Sequence, residues 1–236
     1  YTQAVGDLVT ASGFTGEISG VPVTNIQDYD IVFTQNNTSV TIKKYKGTDS
    51  CITIPETISG AAVKQIAANA FAFNEHLVRV YMPDTITSVA DNAFEGCINI
   101  EYLQISKGLT QFSSRAFQSL VSLERLEFYD GLTTIPYHSC RYLFSLRELI
   151  LPSTLQVIQD TAFYFDMALR DVVLPDNLTA VGTNSLATNS DSVTFYCSEK
   201  VAELLNSSNS CGTVSTDPPP VEDKSTPTYI LFNSEE

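Results

Sequence analysis

The sequence predicts a repeat solenoid: six 23-residue units, a parallel concave β-sheet on one side, and short turns or helices on the convex side. Three observations carry this. The dipeptide Ala-Phe recurs at Ala70-Phe71, Ala93-Phe94, Ala116-Phe117 and Ala162-Phe163, each step being 23 residues or twice that. The two remaining places hold Ser139-Cys140 and Ser185-Leu186, so small-then-apolar is kept throughout. Further apolar columns keep the same step, and prolines recur behind one of them. Self-similarity at a fixed period overrides local readings, because each unit needs its neighbours to bury its apolar side.

The columns define one unit. Seven residues before the Ala stand Val63, Ile86, Leu109, Leu132, Leu155 and Leu178; three further on stand Ile66, Val89, Phe112, Ile135, Ile158 and Val181. After the Ala-Phe pair come Leu77, Ile100, Leu123, Leu146 and Leu169, then Val80, Leu103, Leu126, Leu149, Val172 and Phe195. The next column is Met82, Ile105, Phe128, Leu151, Leu174 and Cys197. The alternation Val80-x-Met82 suits a short strand with one buried face. Pro83, Pro152 and Pro175 then end the strand by removing a backbone donor. Around Ala-Phe a compact turn or short helix is expected, with Ala allowing close approach and Phe filling the core.

The ends read differently. Tyr29 to Phe33 and Ser39 to Tyr45 flank Gln35-Asn36-Asn37, the signature of a β-hairpin, expected to cover the first repeat. Upstream, Ile18-Ser19-Gly20, Val23 and Ile26 copy the spacing of Ile58-Ser59-Gly60, Val63 and Ile66, as a degenerate repeat would. Residues 1–50 are therefore expected as an N-terminal cap and 51–197 as the solenoid. Within 198–215, Ser198 through Leu205 reads as a short amphipathic helix capped by Ser198, with Val201, Leu204 and Leu205 on its apolar side. Residues 216–236 open with a Pro-rich, solvated stretch.

Read together, the units resemble the BspA-type leucine-rich repeats of bacterial surface proteins. The resemblance rests on Tyr81-Met82-Pro83, Ile150-Leu151-Pro152, Val173-Leu174-Pro175, the Ala-Phe pairs and Cys97, and covers about residues 40 to 210. The first copy, Ile52-Thr53-Ile54-Pro55, and the entry strand Thr41 to Gly47 fit as well. Departures are Ser106 and Tyr129 in place of Pro and Cys140 in place of Phe. The resemblance implies a secreted or cell-surface module of adhesin-like role, which binds an extracellular protein of a host, matrix or neighbouring cell. The chain opens at Tyr1 without a basic-then-apolar leader, so a signal peptide is expected to have been removed.

Composition and motifs narrow the chemistry. Twenty-seven acids against 13 bases give a net charge of −14, which argues against nucleic acid and against anionic membranes. No apolar run approaches the ~18–20 residues of a membrane span. The five cysteines form no CxxC pair, so most are expected as buried free thiols. Cys197 and Cys211, flanking the C-terminal helix, are the one candidate disulfide pair. His138-Ser139-Cys140 sets a base near a nucleophile, but Cys140 occupies the Phe column and is expected to point into the core. Asp91 and Asp160 lie three repeats apart, too far for a carboxylate pair of ~5–9.5 Å. No cofactor, no metal and no catalysis is expected.

What remains is surface. The strand residues directed away from the core are Arg79 and Tyr81, Tyr102 and Gln104, Arg125 and Glu127, Glu148 and Ile150, Asp171 and Val173. Tyr and Arg are enriched at interface hot spots, so this concave face is the expected ligand-binding face. Ile150 and Val173 are expected as an exposed apolar pair near Tyr129. A glycan ligand would want exposed aromatics, of which the face offers a few tyrosines. The rival of another class is a structural spacer that displays a further domain, to which the Pro-rich stretch near 217–227 lends weight.

Overall fold

The computed structural model describes residues 25–34, 36–187, 193–210 and 212–220. The proposed degenerate repeat at 18–26 falls almost wholly outside them, as does Cys211 and with it the Cys197–Cys211 pair. The described chain is a β-solenoid of stacked coils, each contributing two short strands and one turn segment.

The first strand series is Cys51–Thr53, Arg79–Tyr81, Tyr102–Gln104, Arg125–Glu127, Glu148–Ile150, Asp171–Val173, Thr194–Tyr196 and Thr213–Ser215. All its pairings are parallel, and Arg79 stands opposite Tyr102 while Arg125 stands opposite Glu148. In each strand from Arg79 to Val173 the middle residue is buried and the flanking two are not. That is the period of a half-buried strand. The second series, two residues per coil, runs Ser88–Val89, Gln111–Phe112, Thr134–Ile135, Val157–Ile158 and Ala180–Val181.

The turn segment forms a third ladder. The Asn69, Phe71 and Phe73 amides donate to the Asp91, Ala93 and Glu95 carbonyls of the next coil at 2.7 to 3.1 Å. The intervening Ala70, Ala72 and Asn74 amides close local turns onto Ala67, Asn69 and Phe71. This alternation needs left-handed backbone before the Ala and three residues after it. Positive φ is found at Asn69, Asn92, Arg115, His138, Thr161 and Asn184, and at Phe73, Gly96, Ser119, Tyr142 and Phe165. A left-handed residue every fourth position interrupts any helix, so within the described repeats the Ala-Phe segments are turns and not helices.

The columns read from the sequence fill the interior. Phe71 stacks on Phe94 at 4.6 Å and Phe94 on Phe117 at 6.0 Å, and Tyr45 of the hairpin extends the stack at 5.4 Å from Phe71. Phe163 is likewise fully buried, as is Cys140 where the stack lapses. The Cys97 thiol donates to the Phe71 carbonyl at 3.0 Å, and burial pushes it up to about 11. Ser106, in the place of a proline, is buried because its hydroxyl donates to the Ile86 carbonyl at 2.6 Å.

Both strand ladders lapse together between the coil holding Tyr102–Gln104 and Gln111–Phe112 and the coil holding Arg125–Glu127 and Thr134–Ile135, and the first series lapses once more, alone, between Glu148–Ile150 and Asp171–Val173. Phe112 and Phe128 stack face to face across the joint lapse at 5.3 Å, in columns that elsewhere hold no aromatic ring. Pro136 adds to the lapse: its column supplies the Ala90, Ser113 and Gln159 amides to the preceding coils, and proline has none to give.

The hairpin forms as expected, with Tyr29–Phe33 antiparallel to Ser39–Tyr45. The second strand pairs in parallel with Ala61–Ile66, covering the first coil edge. At the other end the helix Glu199–Ser207 buries Val201 and Leu205. Ser198 occupies its N-cap position, but no side-chain capping bond forms, and the backbone carbonyl takes the Val201 and Ala202 amides instead. Thr213–Ser215 then adds one further parallel strand against Thr194–Tyr196.

Asp166 is the exceptional core residue. It is fully buried, and Oδ1 accepts the Leu143 amide at 2.8 Å while Oδ2 has no partner among the described residues. Burial holds its carboxyl well above the usual carboxylate range.

This packing sets two expected outcomes. Phe94→Ala removes the centre of the ring stack and should cost about 3–5 kcal/mol, read from urea denaturation. For Asp166 the native pKa is raised, so the fold keeps a proton that the unfolded chain releases. Its contribution is full below the unfolded pKa and is lost as pH rises through the native one. Asp166→Asn keeps the acceptor for Leu143 and should flatten that loss, leaving the variant more stable than the parent at about pH 8. Parallel pH profiles in urea would place the titration elsewhere.

Candidate functional site

The strand face is set by the pleat. Because alternate side chains point to opposite sides, burying Val80, Leu103, Leu126, Leu149 and Val172 turns their neighbours outward. All ten residues expected on this face lie on it. Arg79, Tyr102, Arg125, Glu148, Asp171 and Val173 are exposed, and Tyr81, Gln104, Glu127 and Ile150 are half-buried. The face also extends beyond the five strands that carry these ten residues. Cys51 and Thr53 precede it, and Thr194, Tyr196, Thr213 and Ser215 follow, giving eight strands and about 34 Å of surface at ~4.8 Å per strand. The alternation Cys51-Ile52-Thr53 and Thr194-Phe195-Tyr196 carries the same signal in shorter form.

The centre of the face is polar and ordered. The Arg125 guanidinium bonds Glu127 at 3.0 Å within its own strand and Glu148 across the strand pair. Partial burial works against the Arg125 charge, but the Glu148 and Glu127 carboxylates outweigh it and raise its pKa. Ion pairs this exposed contribute only ~0–1 kcal/mol, so their effect is to fix the guanidinium in place more than to hold the fold. Beside them the Tyr81 and Tyr102 rings lie 5.3 Å apart. Burial raises both tyrosines, and burial together with the Glu127 charge takes Tyr129 up to about 12. All three stay neutral hydrogen-bonding groups near neutral pH. Lys107 lies 5.9 Å over the Tyr129 ring.

The expected apolar pair is only half exposed: Val173 is 55% exposed, whereas Ile150 is half-buried and Tyr129 packs against the core. Cys51 and Cys197 also depart from the expectation of buried thiols, both half-buried and Cys51 on this face, while Cys97 and Cys140 are buried. The first strand lies at the edge of the stack, where a column residue has one neighbour fewer.

The residues that hinted at chemistry are held by structure. Cys140 is fully buried and its thiol is raised by burial. Ser139 donates to the Pro136 carbonyl at 2.7 Å, and half-buried His138 stacks on Tyr137. Asp160 Oδ1 accepts the Thr183 amide at 2.7 Å, an inter-coil bond. Among the described residues no group of three or more His, Cys, Asp or Glu side chains is placed to hold a metal ion. Nor is any helix among them long and apolar enough to cross a membrane.

Comparisons with known proteins agree with this geometry. The family model of the BspA type leucine-rich repeat region matches in six copies over residues 64–193, more than half of the chain. A search of curated proteins finds no match. A leucine-rich repeat protein of T. pallidum is similar in structure, with a TM-score of 0.64 and 22% identity over 81% of this chain and 99% of that one. A leucine-rich cell surface protein of Faecalibacterium prausnitzii has a TM-score of 0.57 and 23% identity, covering 76% of this chain and 55% of its own. A leucine-rich repeat protein of Eubacterium ventriosum gives 0.53 and 23%, covering 68% and 48%. The chain thus spans nearly all of the first and about half the length of the other two. At these identities the likeness is one of fold, and the family rests on the six matched repeats. The chain belongs to the BspA-type leucine-rich repeat family.

Proposed function

We propose that this chain is an extracellular or cell-surface binding module, adhesin-like and without catalysis, which takes a protein ligand on its strand face. The observation that carries the reading is the centre of that face. Arg125 is fixed between Glu127 and Glu148, next to the tilted pair Tyr81 and Tyr102. Arg and Tyr held in place before a ligand arrives lose little freedom on binding, which is where hot-spot residues gain their effect. Tyr81 and Tyr102 stand on one pair of hydrogen-bonded strands and Arg125 and Glu148 on the next, and the buried core and the turn ladder join the two pairs. A surface location accords with the cell-surface protein of F. prausnitzii that shares the fold.

The other reading is a spacer that displays a further domain. It draws on the Pro-rich stretch beginning Asp217-Pro218-Pro219-Pro220, which follows the last strand.

The test is to immobilise the chain and screen it against matrix proteins, serum proteins and glycans, beside the Tyr102→Ala, Arg125→Ala double variant. A protein in the panel should bind the parent and bind the variant about tenfold or more weakly, since hot-spot truncations cost ~2 kcal/mol or more. The thermal melt should barely move, because both side chains are exposed. Binding equal in both proteins would move the site off this face, and a silent panel would favour the spacer.

A further inference from the structure

On the turn segments, away from the strand face, two successive coils carry a group of rings that the core does not absorb. Tyr142 lies within 6.0 to 6.4 Å of Phe144, Tyr164 and Phe165, and Tyr164 meets Phe165 edge-on at 4.5 Å. Phe144 remains 43% exposed and Met167, in the same column one coil on, 50% exposed. Val121 and Ile98 continue that column on the two preceding coils, half-buried and 43% exposed. Tyr142 and Phe165 occupy the left-handed position that Gly96 fills in an earlier coil, with φ of 63° and 66°. Side chains at such a position carry backbone strain that glycine avoids.

The same corner carries an arginine, with Glu95 two hydrogen bonds away, on a chain of net charge −14. The Arg141 guanidinium stacks over Tyr142 at 4.9 Å, and its Nε donates to Gln118 at 2.6 Å, which in turn donates to Glu95 at 2.8 Å. This relay fixes the head group by one nitrogen and leaves its two terminal amino groups without a partner among the described residues. Arg115 stands exposed two coils before Thr161 in its column, and its field reaches His138. Burial, then the positive charges of Arg141 and Arg115, hold the His138 imidazole below its ordinary value.

We propose that this aromatic, arginine-bearing corner is a second docking surface, and that it takes a partner-protein segment carrying a carboxylate beside an aromatic or large aliphatic side chain. The apolar side chain lies on the Phe144 and Met167 column, where exposed apolar area is lost from water. The carboxylate meets the free amino groups of Arg141, which can offer it two parallel bonds. Charge complementarity selects the acidic segment over a basic one. A neutral glycan would use the rings but leave the arginine charges unanswered. The surface stands apart from the strand face, so it does not depend on the reading proposed for that face.

The test uses the intact chain and a random heptapeptide phage library, with a glycan array in parallel. Enriched peptides should carry Asp or Glu within two residues of Phe, Trp or Leu. The leading peptide, resynthesised with a fluorophore, should bind at least tenfold more weakly to Phe144→Ser, Met167→Ser and to Arg115→Gln, Arg141→Gln, and unchanged to Tyr102→Ala, Arg125→Ala. Added salt should weaken the parent complex and have little effect on what remains in the arginine variant. Circular dichroism of each variant should match the parent, since the substituted side chains lie largely outside the core. No enrichment, peptides without acids, affinity lost only in the Tyr102, Arg125 variant, or a glycan held by the corner in place of peptide would each overturn the proposal.

Discussion

A single coil of this chain presents open backbone edges and an apolar side that it cannot satisfy alone, and every other feature depends on the next coil supplying the partner. The 23-residue period is the means. It returns each apolar column to the same place, so that Phe71, Phe94 and Phe117 stack, and it brings amides against carbonyls of the neighbouring coils, the turn amides to the next coil and strand amides such as Tyr102 and Ser113 to the preceding one. Hydrogen bonds and burial are therefore satisfied by the same displacement. Side chains join the arrangement where loops leave gaps: Asp84 accepts the Lys107 amide and Asp130 the Ser153 amide, each across one period.

A repeat built this way carries deviations as local events. At the junction between Phe112 and Phe128, large rings take columns that elsewhere hold no aromatic ring, Pro136 withholds an amide, and both strand ladders lapse together. The turn ladder continues across the same junction through the Phe117 and Ser119 amides. Three ladders on separate sides of one coil give the stack redundancy: it can lose pairing on two sides and remain joined through the third and through the core. Cys140 and Asp166, which depart from their columns on neighbouring coils, are accommodated in the same way, each at a cost confined to its own surroundings.

The two candidate surfaces arise from different regions of the coil and differ in kind. The strand face is regular, with side chains fixed by the pleat and charges answered by neighbours, as Arg125 is by Glu127 and Glu148. The corner near Arg141 is irregular, made of turn residues whose identity the core does not dictate. Solenoid turns tolerate substitution because each contacts only its neighbours, so such positions are free to be shaped by a partner.

Much of this was legible in the residues. The columns named the core, the alternation about Val80, Leu103 and Leu126 named the outward face, and the spacing around Gln35-Asn36-Asn37 gave the hairpin, because period and burial are tied by backbone geometry. What the period could not convey was conformation within the turn. Asn69, Asn92, His138, Asn184 and Gly96 belong to types that favour left-handed backbone; Arg115, Thr161, Tyr142 and Phe165 adopt it because the ladder to the next coil requires it. Nor could it show that Phe112 would meet Phe128 where both strand ladders break, that Asp166 would be enclosed, or that the rings near Arg141 would gather outside the core. Those outcomes depend on which side chains meet across coils 23 residues apart, and contact of that kind is decided only when the coils are stacked.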